Sequence, residues 1–233
     1  MRGFHNGEYQ DGEAAGRIFL CGQSGYGKTT EMRRLCEQCS GGAILYNHTG
    51  NEDLRRAIHV HQPGELSRVL CKVAGRSGWR IVYTPIGGDL HEHFRSVCRM
   101  AYITASVVLA LDEVDFYCDA RYGPSRMPPE LYNLAHFGRH APGAGIEGNG
   151  RRGVAMMFTA RIPTSVARGL SSQASEFRLF HEDDPDYLDF YRRGVLRNRQ
   201  DAERLRDLPK YKFYRVRKED GQMVISGGAR KTR

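Results

Sequence analysis

Between the apolar run Ile18-Phe19-Leu20 and the helix-forming run Glu31-Met32-Arg33-Arg34-Leu35, the chain reads CGQSGYGKTT, Cys21 to Thr30. Gly22, four residues, Gly27, Lys28 and Thr29 fit the spacing G-x-x-x-x-G-K-[ST]. A phosphate is gripped by backbone N–H groups that converge on it. Side chains would block that approach, and glycines permit the positive φ angles that turn the amides inward. The strand-like run before the loop and the helix after it place the anion at a helix N-terminus, where the amides are unsatisfied. Gly22, Gln23, Ser24, Gly25, Tyr26, Gly27, Lys28, Thr29 and Thr30 are therefore the expected phosphate-binding residues. Lys28 reaches the β- and γ-phosphates, and the Thr29 hydroxyl ligates Mg²⁺.

A second element completes a catalytic set. Ser106-Val-Val-Leu-Ala-Leu-Asp-Glu-Val-Asp115 is an apolar strand run that ends on Asp112 and Glu113. An aspartate at such a strand end holds Mg²⁺ through its water shell, and the glutamate polarises the attacking water. Asp115, two residues on, either assists or serves as a loop carboxylate. The two signals together imply ATP binding and hydrolysis, with ATP and Mg²⁺ as cofactors. The N-K-x-D element that would mark guanine specificity is missing from the sequence.

Short apolar runs alternate with helix-like segments. Strands are expected at 17–21, 43–47, 57–60, 80–84, 106–111, 153–159 and 175–180. Helices are expected at 28–38, 64–74, 89–103, 129–138, 164–172 and 185–193. This is the rhythm of an α/β fold, a mostly parallel sheet with helices on both faces. Its ligands sit at the carboxyl ends of the strands, where both elements above fall. The expected organisation is an ATPase domain over residues 1–194 and a basic C-terminal extension over 195–233. The extension would comprise a polar helix at 199–207, a hairpin turning at Asp220-Gly221, and a basic tail GGARKTR. Two Gly/Pro-rich loops with arginines, 119–128 and 141–152, are long enough to act on a substrate.

Charge supports that division. The chain carries 35 Lys+Arg and 27 Asp+Glu. Residues 192–233 hold 14 and 5 of these, which leaves 21 and 22 for residues 1–191. A segment so biased suits a polyanion, most simply a nucleic-acid backbone, over a solubilising tail or a surface-binding arm. No apolar run approaches the roughly 18 residues of a membrane span, and the N-terminus lacks an apolar signal core. A soluble protein made in a cytoplasm is expected. Cys21, Cys71 and Cys118 read as small core residues. Cys36-x-x-Cys39 has no second pair at zinc spacing, and His59-x-His61 and His91-x-His93 read as ordinary polar positions.

Residues 131–190 narrow the family. A helix LYNLAHFGRH leads to Arg139. The apolar strand GVAMMFT then gives way to Thr159-x-Arg161 and a helix ending Ser-Ser-Gln-Ala. With the two elements above, this order resembles the HerA–FtsK superfamily of DNA-pumping ATPases over roughly residues 15–192. The resemblance implies that Thr159 senses the γ-phosphate and that Arg139 and Arg161 are candidate arginine fingers for a neighbouring subunit's ATP. This chain has Ala160 where larger relatives have Gln. The short lead before the loop and the lack of a membrane segment look most like the genome-packaging ATPases of membrane-containing icosahedral double-stranded DNA viruses. That branch implies a homo-oligomeric ring, pentameric or hexameric, that pumps double-stranded DNA without sequence specificity. It would meet capsid packaging-vertex or portal proteins, and work in the host cytoplasm and at the virion vertex. The rivals are a single-stranded DNA export ATPase of the zonular-occludens-toxin type and a nucleotide-switched DNA-binding helper of transposition or partition.

Overall fold

A computed structural model describes residues 2–5, 8–11, 16–138, 153–219 and 222–226. A small antiparallel hairpin opens the chain, β1 (Arg2–His5) against β2 (Glu8–Asp11). Then follow β3 (Arg17–Cys21), α1 (Lys28–Gln38), β4 (Gly42–Tyr46), β5 (Ile58–Val60) and α2 (Pro63–Val73). The middle of the chain supplies β6 (Arg80–Tyr83), α3 (Leu90–Thr104), β7 (Val107–Leu111) and α4 (Pro129–Phe137). The last part holds β8 (Ala155–Thr159), α5 (Arg168–Ser171), β9 (Glu176–Leu179), α6 (Pro185–Tyr191), α7 (Arg199–Glu203), β10 (Tyr214–Glu219) and β11 (Gln222–Ser226).

One nine-stranded sheet organises these elements in the order β11-β10-β9-β3-β8-β7-β4-β6-β5. From β9 to β5 every pairing is parallel, and β10 and β11 add an antiparallel edge. Parallel strands buried on both faces need apolar residues at nearly every position, and β3, β4, β7 and β8 are buried throughout. Their side chains alternate between two cores. Ile18, Leu20, Ala43, Leu45, Val108 and Ala110 pack under Met32, Leu35 and Cys36 of α1. Phe19, Ile44, Ile81, Leu109 and Phe158 pack against α2, α3, α4 and α6 on the opposite face. The expected α/β sheet with helices on both faces is therefore present.

The chain departs from the sequence-based expectations at several points. Cys71 is exposed, because α2 turns Leu66, Leu70 and Val73 inward and position 71 falls on its outer face. The helix expected at 164–172 is a 3₁₀ turn, Pro163–Ser165, and the single turn of α5. Residues 119–128 are largely ordered as 3₁₀ turns over Ala120–Ser125, kinked at Tyr122 and Gly123. After α6 the chain widens into a π turn, Arg192–Leu196. The loop 141–152, Arg139 and the tail from 227 lie outside the described residues.

Residues 195–219, expected from their charge to form a separate extension, share the main core. Val195, Leu196, Ala202, Leu205, Leu208 and Val216 are buried with Phe19 and Leu109. β10 pairs with β9 so that Arg215 stands opposite Arg178, and Arg217 opposite Glu176. Two of the segment's arginines therefore have a counter-ion inside the fold. Glu176 meets Arg178 Nε at 2.7 Å, Arg215 Nη2 at 2.8 Å and Arg217 Nε at 3.1 Å. Arg178 also pairs with Glu31 of α1. Burial alone would push the Glu176 carboxyl up, but Arg178 and Arg215 hold it below its ordinary value. Charge counted along the sequence overstates what residues 192–233 offer to a polyanion.

Candidate functional site

The three central strands bring the site together. β8 lies between β3 and β7, with Leu20 opposite Thr159 and Leu111 opposite Phe158. The loop after β3, the Thr159 hydroxyl and the acidic pair after β7 therefore emerge side by side at one edge.

The loop takes its shape from glycines in left-handed backbone, Gly22 at φ 131°, Gly25 at φ 83° and Gly27 at φ 104°. A Cβ on Gly22 would lie 2.8 Å from Phe180 Cβ and 2.9 Å from the His181 carbonyl. A Cβ on Gly27 would lie 2.6 Å from the ring of Tyr211. The loop is thus wedged between the end of β9 and residue 211, and only glycine fits at either contact. Backbone bonds fix both sides, Gln23 N–H to the His181 carbonyl at 2.8 Å and Tyr211 N–H to the Tyr26 carbonyl at 3.0 Å.

Lys28 begins α1 and is buried. Its ammonium donates to the Gly22 carbonyl at 2.6 Å and the Gln23 carbonyl at 3.1 Å. Burial pulls its pKa down, against the opposing influence of Cys21, Glu182, Asp112 and Glu113. A desolvated cation folded over its own loop is poised to exchange two neutral acceptors for a phosphate oxygen, a stronger partner.

Asp112 Oδ1 accepts the Thr159 hydroxyl at 2.6 Å and the Thr29 hydroxyl at 3.3 Å. Thr159 Oγ1 in turn accepts the Glu113 N–H at 2.8 Å. One hydroxyl therefore fixes both acidic residues. A hard divalent cation prefers oxygen ligands, and Thr29 with Asp112 supplies that donor chemistry beside the loop. Glu113 sits in left-handed backbone, φ 51° and ψ 53°, unusual for a side chain that is neither Asn nor Gly. Burial, then Asp112, raises its carboxyl pKa, and Arg161 and His48 oppose this. Its Oε1 lies 3.8 Å from Arg161 Nε, and its Oε2 lies 3.7 Å from His48 Nε2. The result is a carboxylate of enhanced basicity.

The other sequence candidates scatter by role. Asp115 is a loop carboxylate, accepting the N–H groups of Arg161 and Ile162 at 3.2 Å each. Arg161 is largely exposed and beside Glu113 of its own chain. Cys36 and Cys39 are buried, and burial pushes both thiols up. His61 Nδ1 contacts the Thr84 carbonyl and His59 contacts Asp53, so the pair does not share a ligand point. His93 is buried against Tyr83 and Gly87, while His91 meets Tyr122.

Some neighbours of the loop carry no sequence signal, His181 and Glu182 among them. Tyr26 of the loop stacks on His181, ring centroids 4.1 Å apart. Beside them opens a cleft of about 460 Å³ lined by Ser24, Gly25, Tyr26, His181 and residues 206–210. Glu182 is buried next to it, with Oε1 accepting the Asp183 and Asp184 N–H groups at 3.2 Å. Burial raises its carboxyl pKa. Strand pairing and a turn, not local pattern, bring His181, Glu182 and residues 206–210 to the loop.

No protein-family model matches the chain, and no curated protein matches its sequence. Solved structures do match it in fold. The genome packaging NTPase B204 from Sulfolobus turreted icosahedral virus 2, in complex with AMPPCP, superposes with a TM-score of 0.67 at 14% identity. That match covers 91% of this chain and 97% of the other. B204, the DNA-packaging ATPase from Sulfolobus turreted icosahedral virus, gives 0.59 at 16% identity, over 91% and 96% of the two chains. The pCW3 conjugation coupling protein TcpA, with ATPγS, gives 0.50 at 13% identity, over 91% of this chain and 59% of that one. The chain therefore has the α/β fold of these proteins. Among the described residues no helix is long and apolar enough to cross a membrane.

Proposed function

We propose that this chain is a genome-packaging ATPase of the HerA–FtsK type, coupling ATP hydrolysis to movement of double-stranded DNA into a preformed capsid. The observation that carries the reading is the hydrogen-bonded set Thr29–Asp112–Thr159–Glu113 facing a glycine loop and a buried lysine. The fold supports it further, because the match to packaging NTPases spans nearly the whole of both chains.

Lys28 and the loop amides would hold the phosphates, and Thr29 and Asp112 would hold Mg²⁺. Bound ATP·Mg²⁺ supplies the electrophile and neutralises its charge. Glu113 takes the proton from the attacking water onto its carboxylate, aided by its raised basicity. Thr159 keeps Asp112 and Glu113 in fixed relation. The cleft beside Tyr26 and His181 adjoins the loop and is the natural place for the base. Arg161, exposed at the lip of the site, and Arg139 are the candidates to reach a neighbouring subunit's ATP in a ring. Mixed assemblies test that role, since a finger acting in trans makes activity fall faster than the fraction of mutant subunits.

Steady-state ATP turnover of the wild-type chain and of Lys28→Ala tests the nucleotide assignment. Turnover by the wild type and its loss in the variant are expected, because the ammonium charge that would hold the β- and γ-phosphates is gone. Wild-type turnover in Lys28→Ala would refute it.

A further inference from the structure

Glu113 is held from two sides, and the sides differ. Arg161 is 65% exposed, while the His48 side chain is only 11% exposed. His48 follows β4, the strand beside β7. Asn47 fixes the turn that carries it, accepting from the Thr49 hydroxyl at 3.0 Å and the Gly50 N–H at 3.1 Å, and donating to the Glu52 carbonyl at 2.8 Å. The imidazole lies edge-on to Tyr117, centroids 5.7 Å apart, and stacks on Phe116 at 5.3 Å and 22°. Its Nδ1 is buried without a hydrogen-bond partner among the described residues. A proton there would be buried and unsatisfied, so the favoured tautomer carries it on Nε2, the atom that faces Glu113.

The series of touching rings continues beyond Phe116. That ring, half exposed, also stacks with His91 at 5.7 Å and 25°. His91 Nδ1 meets the Tyr122 hydroxyl at 2.7 Å, on the 3₁₀ segment Ala120–Ser125. Phe116 belongs to the same turn as Glu113, its N–H donating to the Glu113 carbonyl at 3.1 Å. An unbroken series of side chains thus runs from the acidic strand end to the 119–128 segment.

We propose that His48 is a positioning residue for Glu113, and that the stack Phe116–His91–Tyr122 makes its hold depend on where the 119–128 segment sits. The inference rests on the ATPase reading above. His48 faces one carboxylate oxygen and leaves the other, beside the exposed Arg161, to meet water. A segment at the surface then controls hydrolysis without touching ATP. The 3.7 Å separation is an electrostatic contact that a small shift of either side chain tightens into a hydrogen bond.

Single-turnover ATP hydrolysis and ATP affinity, measured separately, test this. His48→Ala is expected to slow hydrolysis roughly 30-fold with affinity changed less than about twofold, the signature of an interaction made only in the chemical step. His48→Gln, whose amide N–H reaches the same carboxylate, should recover part of the rate. Tyr122→Phe deletes only the hydroxyl that meets His91 and should slow hydrolysis about threefold. In a Glu113→Gln background the His48 change should have no further effect. An unchanged rate in His48→Ala, or an equal loss in the Glu113→Gln background, would overturn the proposal. Should the Ala variant fail to fold, His48→Gln and Tyr122→Phe decide: wild-type rates in both would overturn it. A wild type that does not hydrolyse ATP at all would bring down the ATPase reading itself, which is a different failure.

Discussion

Replacing Thr159 by valine removes one hydroxyl and keeps the shape of a fully buried side chain. That hydroxyl donates to Asp112 at 2.6 Å and accepts the Glu113 N–H at 2.8 Å. Losing the first forfeits a hydrogen bond to a charged group, about 1.5–3 kcal/mol, and losing the second strands a part-buried N–H, about 1–3 kcal/mol. Asp112 keeps Thr29, so the lower half of the sum is the better figure, about 3 kcal/mol. For a chain of 233 residues that corresponds to a fall in Tm of roughly 6–12 °C. Hydrolysis should fall more steeply than stability implies, because Glu113 loses the bond that anchors its left-handed backbone. Misplacement of a catalytic group by about 1 Å costs on the order of 10² in rate. ATP affinity, assigned above to the loop and Lys28 by proposal, should change little, and Thr159→Ser should restore both properties. Thermal denaturation, ATP turnover and ATP binding on the three proteins provide the test. A valine variant with wild-type Tm and turnover would show that this hydroxyl does not organise the site.

Glu113→Gln should bind ATP and lose most hydrolysis, as measured by nucleotide binding and phosphate release, since an amide cannot take the proton. Glu176→Gln strips the buried counter-ion from Arg215 and Arg217 and leaves Arg178 only Glu31, and should cost about 3–5 kcal/mol at neutral pH by chemical denaturation. The native Glu176 pKa is depressed below its ordinary value of 4.5. Its contribution is therefore present above that value and lost as pH falls through the lower, folded-state pKa, so wild type and variant should converge in acid. Charge reversal at the exposed residues Arg197, Arg199 and Lys212 should weaken duplex DNA binding and flatten the slope of log K against log salt by about 0.9 for each phosphate released. Unchanged affinity and slope would assign these residues to another partner. Deleting residues 209–233 would remove β10 and buried Val216 from the sheet, and should destabilise the whole domain.

What could be read in the sequence follows from how local its cause is. The loop Gly22–Thr29 and the strand end Asp112–Glu113 are contiguous, and parallel strands announce themselves as short apolar runs. The α1 boundaries, 28–38, follow from the loop that starts the helix and the turn that ends it. The Glu176 cluster was not legible, because Arg215 and Arg217 lie about 40 residues from Glu176 in sequence and meet it only when β10 pairs with β9. Lys212-Phe213-Tyr214-Arg215-Val216-Arg217 alternates as a half-buried strand should, but alternation cannot say that the polar face meets a buried glutamate. His48 is likewise a lone histidine until β4 and β7 become neighbours. The hairpin of β1 and β2 lies in a polar stretch with no strand periodicity strong enough to signal it.

The central claim, that hydrolysis at this site moves double-stranded DNA, is tested most directly by displacement of a third strand from a triplex on a duplex track. The wild-type chain should release the third strand in an ATP-dependent reaction, and Glu113→Gln should bind the track and release nothing. ATP hydrolysis by the wild type without any displacement would contradict the account.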